Sequence, residues 1–487
     1  MNDVIIRSDN HSFAYLDCDY GIIREMSDRY TFKPDGYMFT PAYKAGVWNG
    51  EIRLVDIRTG RFAKGLVPDI IDSLEASGYN VSLARGDFDS FRETLDMVDV
   101  DSLKLGFEPY DYQIAGVKRI LSKKRQVILS PTGSGKSLLL YLTVRSLVGK
   151  KILIIVPNIS LVSQLYSDFE DYAKNDDSWD VANNCQKIAE GASKEVSKNI
   201  VISTWQSIYT IKDKRWFEQY EAVFVDECHL AKAKSITGIM DKCINAGIRA
   251  GVSGTLDGSQ VNELVLKGLF GPIHRVAKTS DLIDTGVLTD LRINVMILKH
   301  DPAAVKSLGK LQYADELDYL VRHERRNKLI CKLAKHAKGN TLILFQFVEK
   351  HGKVLEKMLK EVAPDRKVFF VYGGVPGDER ENIRKIMESQ PDAIICASYQ
   401  TYSTGVNLKN LHNIIFASPS KGRVRIFQSI GRGLRKHESK DICTLYDIAD
   451  DIRGTKKALN HTLKHMMVRL EAYYSEGFNV KCVDIDL

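Results

Sequence analysis

Three short stretches carry side chains able to act on a phosphoanhydride. The first is Ser130-Pro131-Thr132-Gly133-Ser134-Gly135-Lys136-Ser137, set between the β-branched run Val127–Leu129 and the helix-forming run Leu138–Leu147. Strand, glycine-rich loop and helix in that order make a phosphate cradle. Gly133 and Gly135 let backbone N–H groups turn inward, helped by the helix N-terminus, with Thr132 and Ser134 completing the loop. Lys136 is expected to reach the β- and γ-phosphates and the Ser137 hydroxyl to hold Mg²⁺. Ser130 stands where the usual pattern has its first glycine. The second stretch, Asp226-Glu227-Cys228-His229, ends another apolar run, Ala222–Val225. Asp226 is expected to bind the same magnesium, and Glu227 to orient and deprotonate an attacking water. The third runs from Gln428 to Arg435. A helix there would place Arg432 and Arg435 on one face. Their planar guanidinium groups suit a transferring γ-phosphoryl, an effect worth about 10³–10⁵ in rate. Together the three stretches imply ATP hydrolysis with Mg²⁺ at a site shared by two domains, and such a site converts hydrolysis into movement.

The elements that must position these residues are legible as a change of texture along the chain. Up to about residue 98, short alternating stretches such as Glu51–Asp56 look like strands, punctuated by Pro34-Asp35-Gly36 and Trp48-Asn49-Gly50. A helix is expected at Pro68–Ser77, stopped by Gly78. Residues 1–98 therefore read as a small α+β domain. Beyond it, apolar runs alternate with helical stretches: Val127–Leu129, Ile152–Val156, Ile200–Ile202 and Ala222–Val225. Such runs mark strands buried on both faces of a parallel sheet. The pattern crosses a mixed segment at 280–325 and restarts with Leu342–Phe345, Val368–Val371, Ala393–Cys396, Asn413–Phe416 and Cys443–Tyr446. Two tandem doubly wound α/β domains follow, at 99–285 and 286–455. In the tail, 456–487, Leu459, Leu463, Met466, Met467, Leu470 and Tyr474 form one apolar helical face opposite His461, Lys464 and Arg469.

Composition bounds the class. A chain of 487 residues is too long for one core. Its 69 Lys and Arg against 62 Asp and Glu give +7, which permits a polyanionic partner without requiring one. The eight cysteines include no Cys-x-x-Cys pair, which argues against zinc modules and a disulfide framework and for a reducing compartment. No signal core and no apolar run of about 18 residues is found, so the expectation is a cytoplasmic protein with no membrane partner.

In combination these motifs resemble the ordered set of superfamily 2 helicases and translocases, over roughly 105–450. The resemblance implies tandem RecA-like domains. It assigns Gln113, after Pro109 and Tyr112, to adenine reading. Val156-Pro157 with Leu161 and Gln164 resembles motif Ia, Ser203–Ser207 motif Ib, Asp226–His229 motif II and Ser253-Gly254-Thr255 motif III. Phe345-Gln346-Phe347 resembles motif IV, Tyr372-Gly373-Gly374 the strand-end motif that follows it, Ser403-Thr404-Gly405 with Asn407 motif V, and 428–435 motif VI. What the resemblance implies is nucleotide contact at Gly405 and strand contact at Pro157, Thr204, Trp205, Ser253, Gln346, Gly374 and Thr404. Asn407 departs from the acid often found there. The whole chain is also similar to the phage UvsW type, through Asp35-Gly36-Tyr37, Trp48-Asn49-Gly50, Gly65-Leu66-Val67, Ser193-Lys194 and the Tyr473–Val480 tail. That likeness implies work on branched DNA: fork remodelling, branch migration and Holliday-type junctions during recombination and replication, in the cytoplasm of a phage-infected bacterium.

Within the first domain, Lys44, Trp48, Arg53, Arg58, Arg61 and Lys64 suit phosphates and a stacked base. A structural domain with Trp48 in its own core is the other reading. On the DNA-binding reading, deleting residues 1–95 is expected to leave a folded ATPase with reduced affinity for branched DNA. An RNA helicase of the same superfamily, the motor subunit of a restriction complex and a non-translocating ATP-dependent switch are the rival functions. The first hundred residues hold no paired Asp and Glu-x-Lys nuclease cluster.

Overall fold

A computed structural model describes residues 3–34, 36–86, 88, 94–189, 191–230, 234–308, 311–405, 408–420, 422–454 and 458–487. The chain divides into two compact units, Met1–Ser130 with Gly135–Val276 and Pro131–Ser134 with Ala277–Leu487.

The first unit holds two larger sheets and a two-strand ribbon. The smaller contains β1 (Asp3–Ser8), β2 (Phe13–Asp17), β5 (Arg61–Ala63) and β6 (Asn80–Leu83) in the order β5-β2-β1-β6, with β1 and β6 parallel and the other pairs antiparallel. A two-strand ribbon of β3 (Thr31–Phe32) and β4 (Ile52–Arg53) lies apart from it. The strand expected over Glu51–Asp56 is thus only two residues long. Helices Tyr20–Arg29 and Val67–Ala76 bury Ile22, Met26, Ile70 and Leu74 with Ile6, Leu16 and Phe62.

This small sheet shares packing with the larger one beside it. Leu264, from the helix Gln260–Phe270, belongs to the same apolar cluster. Gly65 lies so close to the Lys267 and Gly268 carbonyls that a Cβ there would overlap them. The Arg249 guanidinium, fully buried, donates to the Ser12 hydroxyl at 2.6 Å, and that of Arg125 donates to the His11 carbonyl. Lys267 and Asp69 form an ion pair at 2.5 Å.

The larger sheet has seven parallel strands: β7 (Arg125–Leu129), β8 (Ile152–Val156), β9 (Cys185–Ile188), β10 (Ile200–Thr204), β11 (Ala222–Asp226), β12 (Ile248–Ser253) and β13 (Ile273–Arg275). Their order is β13-β7-β12-β11-β8-β10-β9. Strands β7, β8 and β10 are buried along their whole length, as β-branched runs covered by helices on both faces must be. Because all seven run the same way, every loop that follows a strand emerges on one edge, where ligands collect in open α/β sheets.

The second unit repeats the plan with β14 (Asp290–Lys299), β15 (Thr341–Phe345), β16 (Val368–Val371), β17 (Ile394–Ser398), β18 (Asn413–Phe416), β19 (Ile442–Asp451) and β20 (Asn479–Asp486). These again are all parallel, in the order β16-β17-β15-β18-β19-β14-β20. Two tandem doubly wound domains and a small N-terminal α+β domain are therefore present. The mixed segment at 280–325 conceals β14, and the tail adds β20 to the sheet edge.

The tail helix, His461–Ser475, corrects the expected apolar face. Met467 and Tyr474 are exposed, whereas Arg469, expected to face water, is buried. Its fork bonds both Asp447 carboxylate oxygens at 2.8 Å and the Ser420 carbonyl at 2.7 Å, so charge pairing outweighs hydropathy at that turn. Among the described residues no helix is long and apolar enough to cross a membrane.

Candidate nucleotide and nucleic-acid site

The phosphate-loop sequence follows β7, whose buried β-branched residues fix where the chain leaves the sheet, and the helix Lys136–Arg145 starts directly after Gly135. Gly133 and Gly135 hold φ of 89° and 79°, a left-handed conformation that L-residues with a Cβ rarely adopt. At Gly135 a Cβ would also collide with the Gln113 amide. The Lys136 ammonium lies 3.5 Å from the Ser130 carbonyl, folded back over the loop, and the Ser130 N–H donates to the Ser253 carbonyl at 2.9 Å. Gln113 is buried at the start of the helix Asp111–Lys123. Its Oε1 accepts the Tyr110 N–H at 2.9 Å while its Nε2 donates to the Gly135 carbonyl at 3.4 Å. Tyr110 and Tyr112 stack beside it with centroids 5.5 Å apart.

The Ser137 hydroxyl shares a 2.9 Å hydrogen bond with the Tyr172 hydroxyl, from the helix Ile159–Ala173. Burial pushes the Tyr172 phenol up to about 12, so it keeps its proton near neutrality. No local spacing pointed to Tyr172. Asp226 ends β11, and its Oδ1 accepts the Glu227 N–H at 2.9 Å. Burial, then the charge of Glu227, raises the Asp226 carboxyl to about 6, against the opposing pull of Lys136. Glu227 itself has φ 49°, a strained left-handed turn that swings its carboxylate off the strand line. That carboxylate meets His229 Nδ1 at 3.3 Å and the Ser253 hydroxyl at 3.5 Å, and His229 Nδ1 lies 2.9 Å from the same hydroxyl. Motif II and the end of β12 are thereby wired together. His229 was legible only as part of the motif. Cys228 points into the core, where burial drives its thiol well up and leaves it inert.

Ser137 and Asp226 offer one hydroxyl and one carboxylate. Mg²⁺ takes one or two such protein oxygens and fills its octahedron with phosphate and water, so this donor set fits it. Lys136 and the loop N–H groups fit a triphosphate.

The residues expected to touch a strand are placed unequally. Pro157, Thr204 and Ser253 follow or end β8, β10 and β12, on the same edge as the phosphate loop. Thr204 is buried, its hydroxyl capping the short helix Trp205–Ile208 through the Ser207 N–H. Ser253 is fully buried, with its hydroxyl engaged by His229 and the Thr255 carbonyl; a hydroxyl so placed senses Glu227 rather than facing solvent. Trp205 is half-buried, edge-on to the exposed Tyr209, and together with Gln206 and Ser235 they line an open surface hollow. Trp48 is also half-buried, its indole N–H donating to the Glu51 carbonyl at 2.8 Å.

In the second unit Gln346 is exposed after β15 and Gly374 sits in an exposed turn after β16. Ser403, Thr404 and Gly405 end the helix Tyr399–Gly405 after β17, but their side chains, like all of Asn407 and Asp35, lie outside the described residues. The helix Arg423–Gly433 carries Gln428 and Arg432. It stops before Arg435, so the two arginines do not share a helical face. Beyond the stop, the Thr289 N–H donates to the Leu434 carbonyl at 2.7 Å and its hydroxyl to the Arg435 carbonyl at 3.1 Å, which takes both carbonyls out of the helical ladder. The Arg432 guanidinium lies over the buried Tyr402 ring, 5.1 Å from its centroid.

Comparison with known proteins bears on this geometry. A family model described as the N-terminal domain of the DNA helicase UvsW matches residues 3–84. One for the res subunit of type III restriction enzymes matches 106–258, and the helicase conserved C-terminal domain matches 324–437. The chain is 34% identical over its whole length, and that of the relative, to the ATP-dependent DNA helicase UvsW of Enterobacteria phage T4. The crystal structure of T4 UvsW aligns over 99% of both chains at 32% identity, with a TM-score of 0.48. The ATP-dependent Type ISP restriction-modification enzyme LlaBIII, solved bound to DNA, aligns over 87% of this chain and 36% of its own, at 15% identity and a TM-score of 0.57; that likeness is one of fold.

Proposed function

Because the chain belongs to the UvsW family of ATP-dependent superfamily 2 DNA helicases, we propose that it uses ATP and Mg²⁺ to remodel branched DNA, driving branch migration and fork reversal. The observation that carries the motor reading is the wiring of Glu227, His229 and Ser253 along the edge where the phosphate loop emerges. A change at the nucleotide is felt there by the end of β12, the region motif III would use to alter its grip on a strand. The branched substrate is supported by a likeness that extends through the N-terminal sheet and the tail, not only the motor.

In this reading Lys136 and the loop N–H groups hold the β- and γ-phosphates, while Ser137 and Asp226 hold Mg²⁺. When bound there, the ion would supply charge neutralisation for the phosphates. Glu227 orients the attacking water and takes its proton. Gln113 ties the Gly135 carbonyl to the Tyr110 backbone, which couples adenine recognition to the shape of the loop. Arg432 and Arg435, with Gln428, are assigned to the γ-phosphate, and Gly405 to the nucleotide. Pro157, Trp205, Gln346, Gly374 and Thr404 are assigned to the strand backbone, contacts that position without reading bases. Alternating affinity of the nucleotide states then shifts the population between grips. The place of work would be the cytoplasm of an infected bacterium.

ATP hydrolysis measured against single-stranded, duplex, forked and four-way DNA, with matched RNA, tests the substrate. Forked and four-way DNA should stimulate most; equal or greater stimulation by RNA would overturn the assignment. Displacement of a forked duplex should vanish in Lys136→Ala, and equal displacement by that variant and the wild type would end the motor reading.

A further inference from the structure

Among the described residues of the N-terminal domain the most exposed aromatic is Phe39, ahead of Tyr20, and not Trp48. Phe39 is 73% exposed and Val47 82%, with Met38 next to Phe39 at 49%. All three sit on one compact tip between Tyr37 and Trp48, made of a 3₁₀ turn at Tyr37–Phe39 and the short helix Pro41–Lys44. The tip is held in shape from within. The Thr40 hydroxyl donates to the Tyr37 carbonyl at 2.8 Å and accepts the Tyr43 N–H at 3.4 Å, while the Val47 and Trp48 N–H groups both donate to the Ala42 carbonyl. The Tyr43 ring stands edge-on to Tyr37 at 4.9 Å, and Gly50 packs flush against the Tyr37 ring. Pinned by its indole N–H to the Glu51 carbonyl, Trp48 closes the base. An apolar corner braced in this way is displayed, since a chain free to collapse would cover it.

Charge identifies what it is displayed to. Residues 3–32 hold three cations against six acids, whereas 33–64 hold six cations against three acids. Lys33, just before the tip, and Lys44, within it, are both exposed. Of the six cations, Lys64 is buried and Arg53 and Arg61 are ion-paired with acids, so the exposed Lys33, Lys44 and Arg58 are the ones that draw a polyanion toward this segment. Phe and Met flanked by Lys is the composition that inserts against base steps in DNA. In continuous duplex each base face is covered by its neighbour; only at a branch point or an end is one left open.

We infer that the Met38–Phe39 corner with Val47 stacks on the uncovered base pair at a DNA branch point, marking the junction and competing with its re-pairing. This rests on the branched-DNA reading and adds to it the element that recognises the branch. The test uses full-length protein and a fork carrying 2-aminopurine at the branch point. Wild type should change the 2-aminopurine fluorescence on binding. In a Phe39→Ser, Val47→Ser double variant that change should be lost and fork displacement should fall about tenfold or more, the loss expected of removing a stacked aromatic. ATP hydrolysis stimulated by single-stranded DNA should stay within about twofold, showing the motor intact. Unchanged fluorescence and displacement in the variant, with a wild type active on forks, would overturn the inference alone. A wild type inactive on forks would instead overturn the branched-DNA reading beneath it. Self-association in the wild type, lost in the variant with fork activity intact, would give the tip to a second copy of the chain and also overturn the inference.

Discussion

Two side chains at the nucleotide site make separable predictions. Glu227 is strained into position at the end of β11 and linked to His229. Its assigned work is on the water, not on binding. Glu227→Gln should therefore lower ATP turnover by about 10²–10⁴ while leaving nucleotide affinity within a few-fold, measured by single-turnover hydrolysis beside fluorescent-nucleotide titration. Tyr172 acts one bond further out. As a protonated phenol it can donate to the Ser137 oxygen at 2.9 Å and hold that hydroxyl in a single rotamer. Removing one such bond is worth about 1 kcal/mol, or roughly fivefold. Tyr172→Phe should raise the Mg²⁺ concentration for half-saturation of nucleotide binding by about that factor, and nucleotide binding without metal should be unchanged. A merely structural tyrosine would lower the melting temperature and leave the Mg²⁺ titration alone.

Elements are joined by buried polar groups, and these set the response to acid. Behind β15 the His351 ring spans the Ser418 hydroxyl at 2.9 Å and the Asn327 amide oxygen at 3.2 Å, and the same Ser418 hydroxyl receives the Gln346 N–H at 3.1 Å. Burial, aided by the charge of Arg326, lowers the imidazole to about 3 from an ordinary 6.5. Unfolded chains therefore bind a proton at His351 below pH 6.5 that the fold does not, and stability falls as pH drops through that value. Asp450, held at about 2 because Arg326 and His300 outweigh its burial, adds a second loss below about pH 4. Urea midpoints of the second unit, followed in the full chain from pH 7.5 to 5, should decline with acid, and His351→Gln should flatten that slope. At the seam of the first unit, Gly65→Ala would press a methyl against the Lys267 carbonyl. Overpacking of this kind costs about 1–3 kcal/mol, readable as a lower melting midpoint of the first unit.

For the molecule as a whole, the N-terminal sheet is no detachable appendage. Deleting residues 1–95 would strip the buried Arg249 and Arg125 of the Ser12 and His11 acceptors and uncover Leu264. The expected outcome of that truncation is an insoluble or unstable motor rather than a folded ATPase, checked by expression and circular dichroism, so point changes at the tip are the better probe of DNA binding. Which parts of this were legible beforehand follows from how far apart the partners lie. The phosphate loop, the Asp226-Glu227 pair and the β-branched runs depend on neighbours a few residues away, so their order along the chain was enough to place two doubly wound domains and to nominate a nucleotide site. Strand β14 was hidden because its buried positions alternate with half-exposed ones, and β20 because most of its residues face water. Ser137 with Tyr172, Arg469 with Asp447 and Arg249 with Ser12 join residues 35, 22 and 237 positions apart. Helical periodicity put Arg469 in water, the clustering of basic residues with an aromatic put Trp48 in reach of DNA, and the helicase resemblance put Thr204 there. Folding buried the arginine on a carboxylate, gave the indole and the hydroxyl to nearby backbone, and left Phe39 and Val47 outside, because the hydrogen-bonding and charge partners of a side chain exist only once packing has brought distant segments together.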